Sequence, residues 1–229
     1  MSKSETSFVQ RIHKTDRLLA AAAGFIPAYE PADSGLLLAA VTAVLANAEP
    51  LNAAVADAIT AWSAVVQERR AQIALIKARG TLLINYLRSN PAWATSLPRA
   101  KLLADAIRDI RPRVPGSSAR QRCAQSCSQI EGNWQSLTAL AIGLPGYAPP
   151  ATNTALQPAA LTALHTHLTT LNEAIATHEE TLSTLRQQRL DAYNGPDGLK
   201  EKFKGLKQAI KGQYGHTSTQ FLQIKSLRW

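Results

Sequence analysis

The stretch GFIPAYEP, residues 24–31, decides the fold because the chain contains it twice. It recurs as GLPGYAPP, residues 143–150, and Gly, Pro, Tyr and Pro align when one residue is gapped at Ile26. Proline excludes regular helix, so we predict a loop at both places. Each loop brackets one tyrosine, Tyr29 or Tyr147. We expect a structural role, in which the ring packs on the helix ends and the hydroxyl reaches a backbone carbonyl; the alternative is a binding aromatic.

The similarity continues downstream, in a segment where apolar residues recur at alternate spacings of three and four. LNAAVA at 51–56 recurs as LNEAIA at 171–176, and Arg69 recurs as Arg189. The apolar rows, in phase 120 positions apart, are Val41, Val44, Ala48, Leu51, Val55, Ala58, Trp62 and Val65, then Leu161, Leu164, Leu168, Leu171, Ile175, His178, Leu182 and Leu185. This spacing predicts long helices that pack at the shallow angle of coiled coils and bundles. The two arginines continue the rows, and we expect them to pair with acids or to extend toward solvent.

The fold class follows from these rows and from the composition. Alanine and leucine dominate the 229 residues, and aromatic residues make up only 6%. We predict an all-α, elongated helical bundle built from two tandem, internally duplicated hairpin units, residues 1–112 and 119–229, that pack on each other. The Pro-, Gly- and Ser-rich residues 113–118 form the predicted linker. We expect a kink or break at Pro50 and a weak point at Gly80.

Charge is distributed unevenly along the chain, whose net charge is +9. Residues 1–98 carry a net +2 and residues 99–122 a net +5. Residues 123–185 carry four acids and no Lys or Arg, whereas residues 186–229 carry a net +6. This pattern predicts complementary faces for self-association. A basic patch also suits nucleic acid, an anionic membrane surface or an acidic partner.

The sharpest candidate for an interaction site is the basic C-terminal region. Its residues are Lys200, Lys202, Lys204, Lys207, Lys211, Arg228 and Trp229. Leucine, phenylalanine and isoleucine at helical spacing predict a helix over 199–211, with the lysines on its other faces. Such lysines could neutralise phosphates, or they could form an ordinary solvated face. No helix-turn-helix, zinc-finger or RNA-binding motif accompanies them.

The closing block GLKQAIKGQYGHTSTQFLQIKSLRW, residues 205–229, resembles the C-terminal signature of a group of uncharacterised bacterial helical proteins. These proteins end in a basic helix, an aromatic-Gly pair, a Ser-rich turn and a short apolar-basic tail. The resemblance covers residues 199–229. It implies a bacterial source and a helical fold, and it implies no activity.

Motifs of catalysis and of metal binding are missing from the sequence. It contains no Gly-rich phosphate loop, no nucleophile elbow and no Glu-x-x-His pair. Cys123 and Cys127 are four apart, which suits neither a disulfide nor a metal site without further ligands. His165 and His167 point to different sides of a helix, and we expect His178 to be a buried neutral histidine. We therefore predict no enzyme activity and no cofactor.

The residues and their pattern support one function hypothesis, one alternative and a third possibility. The sequence contains no run of 18 or more apolar residues, so it predicts no transmembrane helix. The apolar run after Arg17 repeats internally, so we expect a location in the cytoplasm rather than secretion. We predict a non-enzymatic, self-associating structural or interaction protein, a subunit or adaptor of a larger assembly, whose partner is itself or another protein. The alternative is a module that binds nucleic acid or an anionic surface through the basic helix. A small-molecule pocket near His178 and the cysteines is a third possibility.

Overall fold

The computed structural model describes residues 3–109 and 126–229. Seven α-helices span this part of the chain: α1 (Lys3–Ala23), α2 (Leu38–Arg88), α3 (Leu97–Arg108), α4 (Cys127–Ile142), α5 (Pro158–Asn194), α6 (Leu199–Tyr214) and α7 (Thr219–Lys225). Short 3₁₀ turns occupy Ser34–Leu36, Pro91–Trp93 and Thr154–Leu156. No strand occurs among the described residues, so the all-α prediction is confirmed for them. The predicted linker 113–118 lies outside them.

The chain forms two compact units, and both long helices contribute to each. Unit 1 comprises Met1–Ala61 and His178–Trp229, and unit 2 comprises Trp62–Thr177. Unit 1 therefore takes the first part of α2 and the last part of α5, and unit 2 takes the remainder of both. The boundaries of these units differ from those of the predicted repeats, residues 1–112 and 119–229. The repeat boundaries remain a prediction.

Unit 1 is built on the apolar faces of α1, α6 and α7. In α6 the buried residues Leu199, Phe203, Leu206 and Ile210 follow the helical spacing of three and four. The Phe8 ring of α1 meets the Tyr193 ring edge-on at 4.8 Å. Burying side chains of this size stabilises the fold by roughly 1.5–3 kcal/mol each, so α6 is held mainly by this one face.

The loop of residues 24–31 is held in unit 1 by hydrogen bonds from residues almost two hundred positions later in the chain. Side-chain donors of α6 and α7 reach three successive loop carbonyls: Gln213 to Ala28 (2.8 Å), Tyr214 to Pro27 (2.7 Å) and Gln220 to Ile26 (2.8 Å). Prolines leave such a loop without a regular backbone pattern, and side chains therefore satisfy its carbonyls.

Unit 2 has its own core, in which α3 packs along α4. Trp134 is fully buried, and its indole N–H donates to the carbonyl of Leu161 at 3.2 Å. The loop of residues 143–150 is held by Trp93, whose indole N–H donates to the Pro145 carbonyl at 3.0 Å. Other fully buried members of this core include Ile76, Leu83, Ile107, Leu137, Leu156, Leu161 and Leu168.

The helices α2 and α5 run antiparallel in unit 2, where Arg69 contacts Asn172 and Gln72 contacts the carbonyl of Leu164. All sixteen positions of the two apolar rows are buried or half-buried. Of the kink or break expected at Pro50, the break does not occur, because α2 continues through this residue. Pro50 lies on the exposed side of the helix, where water can take the hydrogen-bonding place of its missing N–H.

Candidate interaction surfaces

The lysines of α6 have different surroundings, although the sequence groups them together. Lys204 pairs with Glu201 of the preceding turn at 2.9 Å, and both side chains are about half exposed. Lys202 is half-buried, with its Nζ 4.0 Å from an Asp197 oxygen. Lys211 is exposed in the last turn, where a cation complements the helix dipole.

Lys207 has a structural position. Its Nζ donates to the carbonyls of Leu227 (2.6 Å) and Lys225 (3.2 Å), and so ties the end of α7 to α6. Burial and the nearby Arg228 guanidinium lower the pKa of Lys207 below its usual value. Lys207 therefore binds within its own unit, as Lys204 does through Glu201.

The last two residues of the chain, Arg228 and Trp229, also differ from each other in their surroundings. Arg228 is exposed. Trp229 is half-buried, with its ring 5.5 Å from the Phe203 ring and 5.3 Å from the guanidinium carbon of Arg11. The arrangement makes Trp229 part of the edge of the unit 1 core and leaves Arg228 on the surface.

Tyr29 and Tyr147 occupy equivalent positions in the two Pro-rich loops. Tyr29 donates its hydroxyl to the carbonyl of Leu36 at 3.3 Å, and Tyr147 donates to the carbonyl of Leu156 at 2.8 Å. Each acceptor is the last residue of the 3₁₀ turn that precedes a long helix. Burial raises the pKa of both hydroxyls to about 12. Both tyrosines therefore fasten a loop to the start of a long helix.

Arg69 and Arg189 have diverged in their contacts. Arg69 donates to the Asn172 side chain at 3.5 Å in unit 2. Arg189 is only 5% exposed in unit 1, and its guanidinium carbon lies 4.2 Å from the centre of the Phe8 ring. This is the geometry of a cation–π contact.

A polar cluster in unit 2 centres on Glu131, a residue that no motif in the sequence indicates. Its two carboxylate oxygens accept from Thr169 (2.5 Å) and Asn172 (2.7 Å), and His165 lies 3.9 Å from one of them. Asn172 in turn accepts from Arg69. His165, Thr169 and Asn172 are spaced so that they share one face of α5, and this spacing is the feature of the sequence that could have indicated the polar cluster. The cluster ties α4, α5 and α2 together.

The histidines and cysteines give no metal site among the described residues. His167 contacts Glu68 at 3.1 Å, on a different helix from the acid beside His165. His178 is half-buried rather than buried as expected, and Cys127 is half-buried at the start of α4; Cys123 lies outside the described residues. His167 lines an open groove of about 800 Å³ along α5, and neither His178 nor Cys127 lines this groove.

The long helix α2 leaves a face rich in small residues uncovered. Alanines recur on its exposed side at Ala39, Ala43, Ala46, Ala53, Ala56 and Ala64. Only 22% of its most apolar 18-residue window is buried. By length and composition, α2 is the one helix of residues 3–109 and 126–229 that could cross a membrane, a property that single apolar helices of soluble proteins share.

Comparisons of the chain with protein-family models, curated proteins and solved structures find no match. The resemblance of residues 199–229 to bacterial helical proteins therefore remains a prediction.

Proposed function

We propose that this chain is a non-enzymatic, self-associating structural or interaction protein of the bacterial cytoplasm, a subunit or adaptor of a larger assembly. One observation carries the proposal: the exposed alanine face of α2. Apolar surface left in water costs about 25 cal/mol per Å² that a partner could bury. Small side chains let a second helix approach closely over many turns.

Charge supports a second copy of the same chain as the partner. No Lys or Arg occurs between residues 18 and 68, and the exposed carboxylates Glu49 and Asp57 lie on the alanine face itself. The same unit exposes Lys204 and Lys211 on α6. Each copy therefore carries both members of a complementary pair of surfaces, which favours specific encounter between copies.

A pair of matched variants tests the alanine face. Ala56 lies on α2 and Ala176 lies at the corresponding place of the apolar pattern on α5; both are exposed. Ala56→Lys should lower the mass of the assembly measured by light scattering, because its long side chain would prevent the close approach of a second chain to the alanine face. Ala176→Lys should leave it unchanged. Equal masses for the wild type and both variants would exclude α2 as the contact surface.

The alternative function is binding of nucleic acid or of an anionic surface by the exposed cations Lys204, Lys211 and Arg228. Affinity would then fall steeply with salt, since each phosphate contact releases counterions. A triple change of these residues to neutral glutamine, with Lys207 retained to hold α7, should abolish co-purification of nucleic acid if this alternative holds. Unchanged 260 nm absorbance after the change would exclude this surface.

Internal duplication is part of the same proposal. It is supported by the equivalent hydrogen bonds of Tyr29 and Tyr147, and by the shared order of helix, Pro-rich loop, 3₁₀ turn and long helix. A duplicated chain presents related surfaces twice. This property suits an assembly subunit better than an enzyme with a single site.

A further inference from the structure

We propose that the two halves of the chain, residues 3–109 and 126–229, are mutually dependent binding partners, and that a half of one chain can pair with the opposite half of a second chain. The pairing would use the contacts that already exist within one chain. It does not depend on the proposed function, because the alanine face of α2 takes no part in it.

The composition of the compact units is the first argument. Unit 1 joins α1 and the first part of α2 to the last part of α5, α6 and α7. Unit 2 joins the last part of α2 and α3 to α4 and the first part of α5. Neither half of the chain therefore contains a complete unit.

The cores give the second argument, since each is shared between the halves. In unit 1, Phe8 packs on Tyr193, and the Phe25 ring meets the Tyr214 ring edge-on at 5.5 Å. In unit 2, the fully buried Leu83 and Ile107 share one core with residues of the other half, such as Trp134. Separating the halves would expose apolar side chains in both units at once.

Polar contacts between the halves are specific, which is the third argument. Tyr193 accepts a hydrogen bond from Asn52 at 2.7 Å. Gln213 contacts the first Pro-rich loop twice, accepting from the Glu30 N–H at 3.0 Å and donating to the Ala28 carbonyl at 2.8 Å. Trp93 holds the second loop from the opposite half. None of these contacts requires that the two halves belong to one chain.

Covalent linkage of the halves makes pairing within one chain the favoured form at low concentration, because the tether raises the effective concentration of each half to the millimolar range. Exchange between chains becomes accessible when chains fold together at high concentration, as it does in domain-swapped proteins.

The test uses the full-length protein with a specific protease site placed within residues 113–118. After complete cutting under native conditions, both fragments should elute as one particle with the far-ultraviolet circular dichroism of the uncut protein. The urea midpoint of the cut protein should rise with protein concentration, because its unfolding separates two molecules. The uncut protein, at the same concentrations, should show a constant midpoint if it is monomeric, or a weaker rise if it self-associates.

A second experiment tests pairing between chains. Two cut proteins that carry different affinity tags are unfolded together in urea and refolded, and about half of the recovered particles should contain one fragment from each, the random expectation for equal amounts. Native fragments that separate after cutting, or that refold without mixing, would overturn the proposal. Pairing of the fragments in a protein that does not self-associate when uncut would refute the proposed function alone.

Discussion

The turn between α5 and α6 offers a prediction whose size follows directly from the structure. The amide of Gly195 donates to the Asp191 carbonyl at 2.8 Å, and a Cβ on Gly195 would lie 2.5 Å from that oxygen and 3.3 Å from its carbonyl carbon. Backbone atoms cannot rotate away as a side chain can. The Gly195→Ala change must therefore open the turn that sets α6 on the core of unit 1.

Forcing such a turn costs about 2–3 kcal/mol, the range of local backbone strain and of turn disruption. For a chain of 229 residues, that loss corresponds to a fall in Tm of about 5–10 °C. Gly212→Ala is the matched control, because a Cβ at this position in the last turn of α6 meets nothing within 4 Å. Alanine at that site should stabilise the helix by about 0.5–1 kcal/mol.

The assay is thermal unfolding of the wild type and both variants, followed by circular dichroism at 222 nm. We expect a lower Tm for Gly195→Ala and an equal or slightly higher one for Gly212→Ala. If the two variants unfold at the same temperature, the turn does not have the close approach described above, and the placement of α6 is wrong.

Three further predictions concern single side chains. Burial raises the pKa of the Tyr147 hydroxyl to about 12, so the folded state binds the hydroxyl proton more tightly than the unfolded state does. The free energy of unfolding should therefore fall as the pH rises from about 10 to 12. Tyr147→Phe should reduce this fall, as measured by urea midpoints across the same pH range. Trp134→Phe removes the donor to the Leu161 carbonyl and part of a buried ring, and should cost about 1–3 kcal/mol in urea unfolding. Lys207→Met should speed hydrogen exchange of the amides of α7, whereas Lys204→Met should not, since only Lys207 bonds the end of that helix.

Helices were predictable from the sequence where one face is periodic and the ends carry stop signals. The apolar positions of α6 are an example: Leu199, Phe203, Leu206 and Ile210 are all buried. Pro91 ends the regular run of α2, as expected. The helix does not break at Pro50: proline lowers helix stability locally, whereas packing of neighbours such as the buried Ala48 holds the helix on both sides.

Partners of the candidate residues were not predictable, because periodicity identifies a face and not what covers it. Nothing in the order of residues indicates that Lys207 reaches the carbonyl of Leu227, or that Glu131 accepts from a helix about forty residues later. For the same reason, the sequence does not indicate that each compact unit contains segments from both halves of the chain. A repeat in the sequence suggests units that follow one another, and long-range packing decides which segments share a core.

The most direct test of the account is the mass of the purified full-length protein, measured by light scattering at low and high salt together with its 260/280 nm absorbance ratio. Self-association predicts a mass well above the 24.7 kDa of one chain, with a ratio typical of protein. It also predicts that part of the assembly survives high salt, because its contact is partly apolar. A monomer with excess 260 nm absorbance that high salt removes would contradict self-association and favour nucleic-acid binding.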